Sequence, residues 1–566
     1  MRRIAMVGTL AGALVACPGG TDGTGTDTGT NTGTNTGTGT GTGTPPTPAA
    51  APYFAFLAAQ QHPERGLLAS FVPHDELPVA FGDYLARQNP SFTYDDALAA
   101  LAWLGRGQPG DADRATSVLD GLLAVQYADG AVPDVVNLGT GAATGRSTGN
   151  LAWVMLAWLE GHRQLGHERW LLAAERAAAF LLDPAQALQN DVGFGGFRLT
   201  PGSTIVSTEH ALDLFPALSQ LADRLPTTAG LLTVDEVEVA ALHTRIFAES
   251  RVDPATGAVF TGTGADGATT FRDVVPTDTH TWSVLALGRP RWVRSLVWVT
   301  DVAAGGSGAL WVESPSCPSQ VGSIAIAGPA YSTADVSDVW FEGLAQVHAA
   351  ALLAGDASLG GRAWAALDAA RQRAPNTDEQ GLVATCSEIA TGFGSSYFNA
   401  LAVGPTAWAA LAATDTNPYW PAPLSDGFAG HPAGGLPTVS LSVPAGARFT
   451  CDDAVRPCTF TVTGTSTGVA GTGGRALHVL VQPTDPAVPA WFTQVAATVA
   501  PDGSWSAEAQ LGSAESGGDD GDALTVVAVV VEGAAPGAVL DAVTPATVPG
   551  LVTVSGLLEA TVRVAP

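Results

Sequence analysis

Thr208-Glu209-His210 and Asp278-Thr279-His280 each set a carboxylate within two residues of an imidazole, at the start of an apolar run with helical period. Carboxyl groups in such places suit proton transfer. Glycoside hydrolysis in particular needs two of them, one kept protonated as acid and the other ionised as base or nucleophile. Glu209 is the candidate acid and Asp278 the candidate base, with Asp96 and Asp338 as substitutes. The competing reading is structural: Ser207 as helix N-cap, His210 in the first turn, and acidic residues favoured there by the helix dipole. Asp338 and Glu342 stand four apart, so on a helix they share a face and repel unless a proton, an Arg or a ligand intervenes.

Around these lie groups suited to holding a sugar. Asn150, His210, His280, Glu342 and Tyr397 offer hydrogen bonds, and Trp153, Trp282 and Trp340 offer flat apolar faces near helix starts. A Trp at helical spacing is more often buried against a neighbour than reserved for a ligand. The loops 193–198 and 392–397 combine aromatic residues with glycine, as loops around a cleft do.

Six segments open in the same manner, with Ser, Thr, Asp or Glu leading into an apolar helical run, the N-cap pattern. Counted from Asp95, Thr148, Thr208, Asp278, Ser337 and Thr406, the steps are 53, 60, 70, 59 and 69 residues, each long enough for two helices. Leu151, Met155 and Trp158, then Leu214, Leu218 and Leu221, recur at helical spacing. Second helices are expected over 113–126, 168–182, 234–250 and 361–373, with 79–88 as partner of the sixth first helix. The fourth repeat is the weakest, because Arg289-Pro290 ends its first helix early.

Six helical hairpins in residues 51–420 resemble the (α/α)6 toroid of six-hairpin glycosidases and related polysaccharide lyases. The resemblance implies an inner ring of first helices with a cleft at one end, where the six polar openings converge. Gln126-Tyr127-Ala128-Asp129-Gly130 is similar to a repeat of terpene-cyclase toroids but occurs once. A lyase would use Tyr397 or His280 as base and an Arg to neutralise a uronate. A third reading is a glycan-binding or scaffold toroid without an acid pair.

Composition narrows the rest. All 25 basic residues are Arg, which excludes Schiff-base, Walker and kinase lysines. A formal charge of −28 disfavours nucleic acid as a partner. Residues 1–17 resemble a bacterial lipoprotein signal, with Leu14-Val15-Ala16-Cys17 as the lipidation box, so a lipid-anchored, extracytoplasmic monomer is expected whose only membrane contact is through Cys17. Residues 18–50 form a Gly/Thr-rich tether. Four further cysteines suggest two disulfides, Cys317 with Cys386 and Cys451 with Cys458. Histidine and cysteine spacings suggest no metal site, and no cofactor is implied. After a Pro/Gly-rich linker over 421–437, residues 438–566 alternate as seven short strands, among them a single run over 449–462, which reads as an immunoglobulin-like β-sandwich. The expected class is a multidomain chain, an all-α toroid followed by a small all-β sandwich, acting on polysaccharide or oligosaccharide.

Overall fold

The computed structural model describes residues 50–565 except 191–194, 226–229, 254–255, 301–309, 316, 318–325, 436–437, 443–446, 453–457, 470–474, 484–491, 512–522, 533–550 and 555–557. The expected signal peptide with Cys17, and the tether through residue 49, lie outside the described residues.

Thirteen α-helices are described: α1 (Ala51–Gln60), α2 (Val79–Gln88), α3 (Thr93–Arg106), α4 (Asp111–Val125), α5 (Thr148–Leu165), α6 (Glu168–Leu182), α7 (Thr208–Ala222), α8 (Val234–Ser250), α9 (Thr277–Leu287), α10 (Val293–Thr300), α11 (Phe341–Ala354), α12 (Ala357–Arg373) and α13 (Val403–Ala413). Packing closes α3, α5, α7, α9, α11 and α13 into a ring, α13 returning to α3. Outside it α4, α6, α8, α10 and α12 lie against α3, α5, α7, α9 and α11 in turn, and α1 lies against α13. The chain therefore folds as an (α/α)6 toroid. The inner helices are apolar nearly all round and buried over most of their length, as helices enclosed on both sides must be.

Helix ends follow local chemistry. Ser147 and Ser207 cap α5 and α7, each accepting from the backbone N–H three residues on. Gly107, Gly166, Gly288 and Gly355 end α3, α5, α9 and α11 in the left-handed conformation that glycine adopts freely. The expected partner of the sixth inner helix is corrected: α2 forms over 79–88 as read, but α1 takes the outer place on α13.

A helix start leaves N–H groups without an intrahelical partner. Here the first N–H of every inner helix finds a carbonyl in the segment leading to the next. Thr93 donates to Asp134 O (3.1 Å), Thr148 to Leu199 O (2.9 Å), Thr208 to Thr261 O (2.9 Å), Thr277 to Tyr331 O (2.8 Å) and Phe341 to Ala384 O (3.1 Å). Val403 donates back to Ser70 O (2.9 Å), in the segment before α3, and closes the circle. This belt puts all six inner N-termini at one end of the ring.

Past the ring, the chain from Asn417 to Ala433 lies on its opposite end. The Gln220 amide donates to Tyr419 O, Asn417 to Leu285 O, the Trp420 indole to Ala286 O, and Arg289 to Ala433 O. The remainder forms two sheets. One orders its strands Thr438–Leu441, Cys458–Thr467, Ser504–Leu511 and Thr498–Val499. The other runs Ala447–Asp452, Leu558–Ala565, Ala523–Glu532, Arg475–Pro483 and Phe492–Ala496, with Leu551–Val554 also on Ala523–Glu532; its first pair is parallel. The single strand expected over 449–462 is thus two strands in different sheets. In Ala523–Glu532 the side chains alternate: Val526, Ala528 and Val530 enter the core between the sheets, while Val527, Val529 and Val531 join the toroid's core. That strand is buried on both faces.

Cys317 and Cys386 are bonded, with Cα atoms 5.4 Å apart, as expected. The side chains of Cys451 and Cys458 lie outside the described part of the structure, and so does the bridge expected between them. Closing a loop of 69 residues restricts the unfolded chain by about 4 kcal/mol in the loop-entropy treatment. Reduction, or Cys386→Ser, is expected to lower the thermal midpoint clearly in melts with and without reductant; identical melts would show that the bridge constrains nothing.

Candidate active site

The belt end of the ring gathers carboxyl groups from four inner helices. Asp95 on α3, Glu209 and Asp213 on α7, Asp278 on α9 and Glu342 on α11 act on one another or on shared tyrosines through their charges. Tyr94, Tyr331, Tyr397 and Tyr419 stand among them. The Tyr94 hydroxyl donates to Glu342 Oε1 at 2.6 Å and accepts from the Trp408 indole at 2.7 Å. Tyr419, inserted from the far end, donates to Asp213 Oδ1 at 2.9 Å. The Asp278 carboxylate accepts the Thr279 N–H at 2.6 Å.

Glycine makes room for two of these groups. A Cβ on Gly404, in the first turn of α13, would lie 2.6 Å from Glu342 Oε2 and 3.1 Å from Asp95 Oδ1. Carboxyls from α11 and α3 thus converge on one bare patch of backbone. Within the cluster Asp95, Glu342 and Tyr397 keep 5–6% exposure, whereas Glu209 and Asp213 have none, so the slight remaining contact with water, called the mouth below, is on the Asp95–Glu342 side.

Burial dominates the electrostatics. It pushes the carboxyls of Asp95 and Asp278 up to about 7 and that of Glu342 up to about 8, the last also raised by the charges of Asp95 and Asp278 against the opposing Tyr94 bond. Asp213 is raised well above the usual carboxylate range, chiefly by burial. Burial likewise raises all four tyrosines far above the ordinary phenol value. At neutral pH the cluster holds protons that free carboxyls would have lost.

The ring is filled, not hollow. Trp153 packs against Tyr94, Trp282, Trp408 and Tyr419 with ring centres 4.9–5.8 Å apart. Nearer the mouth Tyr331, Trp340 and Tyr397 form a second cluster at 4.9–5.5 Å. Tyr397 is carried there by a short hairpin, Ile389–Ala390 paired with Ser396–Tyr397. Trp153 and Trp282, expected as sugar platforms, are core; Trp340 lines the plugged mouth.

Of the residues singled out from sequence, Glu209, Asp278, Glu342 and Tyr397 come together. The others do not. Asp96 turns to the neighbouring loop, accepting from Leu68 N–H and the Ser91 hydroxyl, both at 2.7 Å. Asp338 precedes α11 instead of sharing its face with Glu342, and accepts from Val339 N–H (2.7 Å) and the Ser387 hydroxyl (2.6 Å). Asn150 donates to Asp134 at 3.0 Å. His210 bridges two helices through Thr148, 2.8 Å from its Nδ1, and packs on Gly149. His280 accepts Val259 N–H on Nε2 (3.0 Å), lies 2.9 Å from Pro276 O through Nδ1 and stacks on Trp298; burial pushes it down to about 3. These are structural fastenings. Asp213, Tyr94, Tyr331 and Tyr419 were not singled out for chemistry; the four-residue step from Glu209 to Asp213 was the available signal for the first. Among the described residues no group of three or more His, Cys, Asp or Glu is arranged to hold a metal ion.

Raised carboxyl values imply a stability profile. Asp95, Asp278 and Glu342 bind protons in the folded chain that the unfolded chain releases above about pH 4. Their contribution is complete below that value and is lost as pH rises through 7 to 8. The thermal midpoint is expected to fall across pH 5 to 9, and Glu342→Gln to flatten that fall and raise the midpoint at pH 9. A midpoint rising with pH, or an unchanged slope in the variant, would contradict protonated burial.

No protein-family model matches the chain, and no curated protein matches it. Among solved structures it is similar to an alpha-amylase from Clostridium perfringens (11% identity, TM-score 0.44, covering 64% of this chain and 97% of that one). It is similar also to cellobiose 2-epimerase from Bacillus thermoamylovorans B4167 (9%, 0.44, 64% and 94%) and to a D-mannose isomerase (13%, 0.43, 64% and 95%). At such identities and scores these likenesses carry nothing about substrate or reaction. The toroid rests on its own closed ring of helices.

Proposed function

We propose that the protein is a carbohydrate-acting enzyme, and more finely a glycoside hydrolase working through the carboxyl cluster, exported and lipid-anchored through Cys17. The carrying observation is the convergence of Asp95, Asp278 and Glu342 beneath the mouth, with burial holding protons on them near neutrality. Hydrolysis needs one carboxyl protonated and another ionised, and Glu342, near 8, keeps its proton above the pH at which Asp278, near 7, gives one up. Glu342 takes the acid role expected for Glu209, because it keeps contact with the mouth and Glu209 does not. Asp278 keeps the base role, and Asp95 raises the proton affinity of Glu342.

Elimination is less well supported. Tyr397 is raised, the wrong direction for a base, and the Nε2 lone pair of His280 already accepts a backbone N–H. The filled ring favours the scaffold reading, since a substrate must displace part of the Tyr331–Trp340–Tyr397 cluster to reach the acids.

A panel of neutral and uronic polysaccharides separates these readings. Wild type is expected to release reducing ends from a neutral glycan, and Glu342→Gln and Asp278→Asn each to lose roughly 100-fold or more in turnover. Unsaturated products would mean elimination. Full turnover by both variants would remove the residue assignment, and none by wild type would leave a scaffold.

A further inference from the structure

Outside the ring, between the chain just ahead of α2 and the root of the Tyr397 hairpin, lies a cavity of about 290 Å³. It is near the lower end of the roughly 300–1,000 Å³ range of small-molecule sites. That is room for a unit of one or two small rings. Its lining has two characters. Leu77, Pro78, Pro375 and Phe398 make an apolar wall, Phe398 being held by stacking on Phe81 at 4.6 Å. His74, Glu76, Asn376, Glu388 and Asn399 supply polar groups.

Two asparagines and His74 are set in advance, while Glu76 and Glu388 are exposed at the rim. The Asn399 amide donates to Thr385 O (3.0 Å) and Cys386 O (3.2 Å), which fixes its oxygen to accept from Asn376 Nδ2 at 2.6 Å. Asn376 Nδ2 also reaches Glu76 Oε2 at 3.3 Å. His74 Nε2 lies 2.5 Å from Asn399 O, and since a carbonyl only accepts, the imidazole donates there. Asn376 is held at φ 62°, a conformation that non-glycine residues occupy at a cost and that gathers at binding sites. The formal charges in the lining are the two glutamates, with no Arg among the lining residues, so anions are repelled. An apolar face beside carboxylate and amide acceptors matches a neutral polyol ring, whose C–H face and hydroxyl edge differ in the same way.

The geometry points to a binding pocket for an uncharged saccharide unit, built from Asn376, Asn399, Glu76, Glu388 and Phe398. Phe398 follows Tyr397, the residue at the plugged mouth, so an occupant stands beside the hairpin that covers the acids. That this unit belongs to the same glycan that is cleaved rests on the proposed function; the pocket itself does not.

The test uses the full chain carrying Glu342→Gln, titrated calorimetrically with neutral gluco-, manno- and xylo-oligosaccharides, polyglucuronate oligomers and glucosamine oligomers. At least one neutral series is expected to bind, with affinity falling roughly tenfold or more on adding either Asn376→Gly or Glu388→Gln. Asn376→Gly keeps the backbone conformation without strain, so its thermal midpoint should stay near that of the parent. No neutral series binding, unchanged affinity in both variants, or preference for the charged oligomers would overturn the pocket. Pocket-independent binding with wild-type turnover removes the pocket and leaves the enzyme. Pocket-dependent binding without wild-type turnover removes the enzyme and leaves the pocket.

Discussion

The first backbone N–H of each inner helix has no partner inside its own helix, and a buried donor left unmet costs about 1–3 kcal/mol. Here all six are met by carbonyls of the following repeat, the last returning to Ser70. That constraint does more than satisfy donors. It ties each helix start to the approach of the next, and thereby points six helices the same way. Four of the six begin with threonine, and the hydroxyls of Thr93, Thr148 and Thr277 add bonds to Pro133 O, Arg198 O and Ala330 O beside the backbone contact. Sequentially remote carboxyls become neighbours as a result.

The same arrangement sets two electrostatic effects against each other. Six helix N-termini bring positive dipole ends to the mouth, which favours ionised carboxyls by roughly 0.3–1 kcal/mol each. Removal from water favours the protonated form and is the larger effect, since Asp95, Asp278 and Glu342 end up near 7 to 8. A fold selected for stability alone would put apolar side chains there. Acids kept at such expense, under an aromatic cover, mark the place where local packing yields to another requirement.

Much of this was legible from the chain. Polar helix starts followed by apolar periodicity located the repeats, and α2, α6 and α8 occupy the residues read for them. What failed has physical causes. α1 has no capping side chain and is apolar on most sides, so no polar opening marks 51–60 as a helix in the sequence. Asp338 resembled a helix start, but its carboxylate takes the Val339 N–H and the helix begins three residues later, at Phe341. The histidines near Glu209 and Asp278 look chemical because sequence shows closeness along the chain, while on a helix each residue turns the side chain by about 100 degrees, so both point away from their carboxylates. Tyr419 was invisible as a site residue: it lies 206 residues from Asp213, in a Pro-flanked segment that reads as the approach to a linker. Strand alternation marked the two sheets, yet could not show that Val527, Val529 and Val531 face the toroid.

The belt brings acids from separate repeats into one water-poor cluster that retains protons at neutral pH. Infrared spectroscopy of the folded protein in D2O reads this directly, because protonated carboxyls absorb apart from carboxylates. A protonated-carboxyl band is expected at neutral pD that shrinks in Glu342→Gln and vanishes on unfolding. A folded protein whose carboxyls are all ionised under those conditions would contradict it.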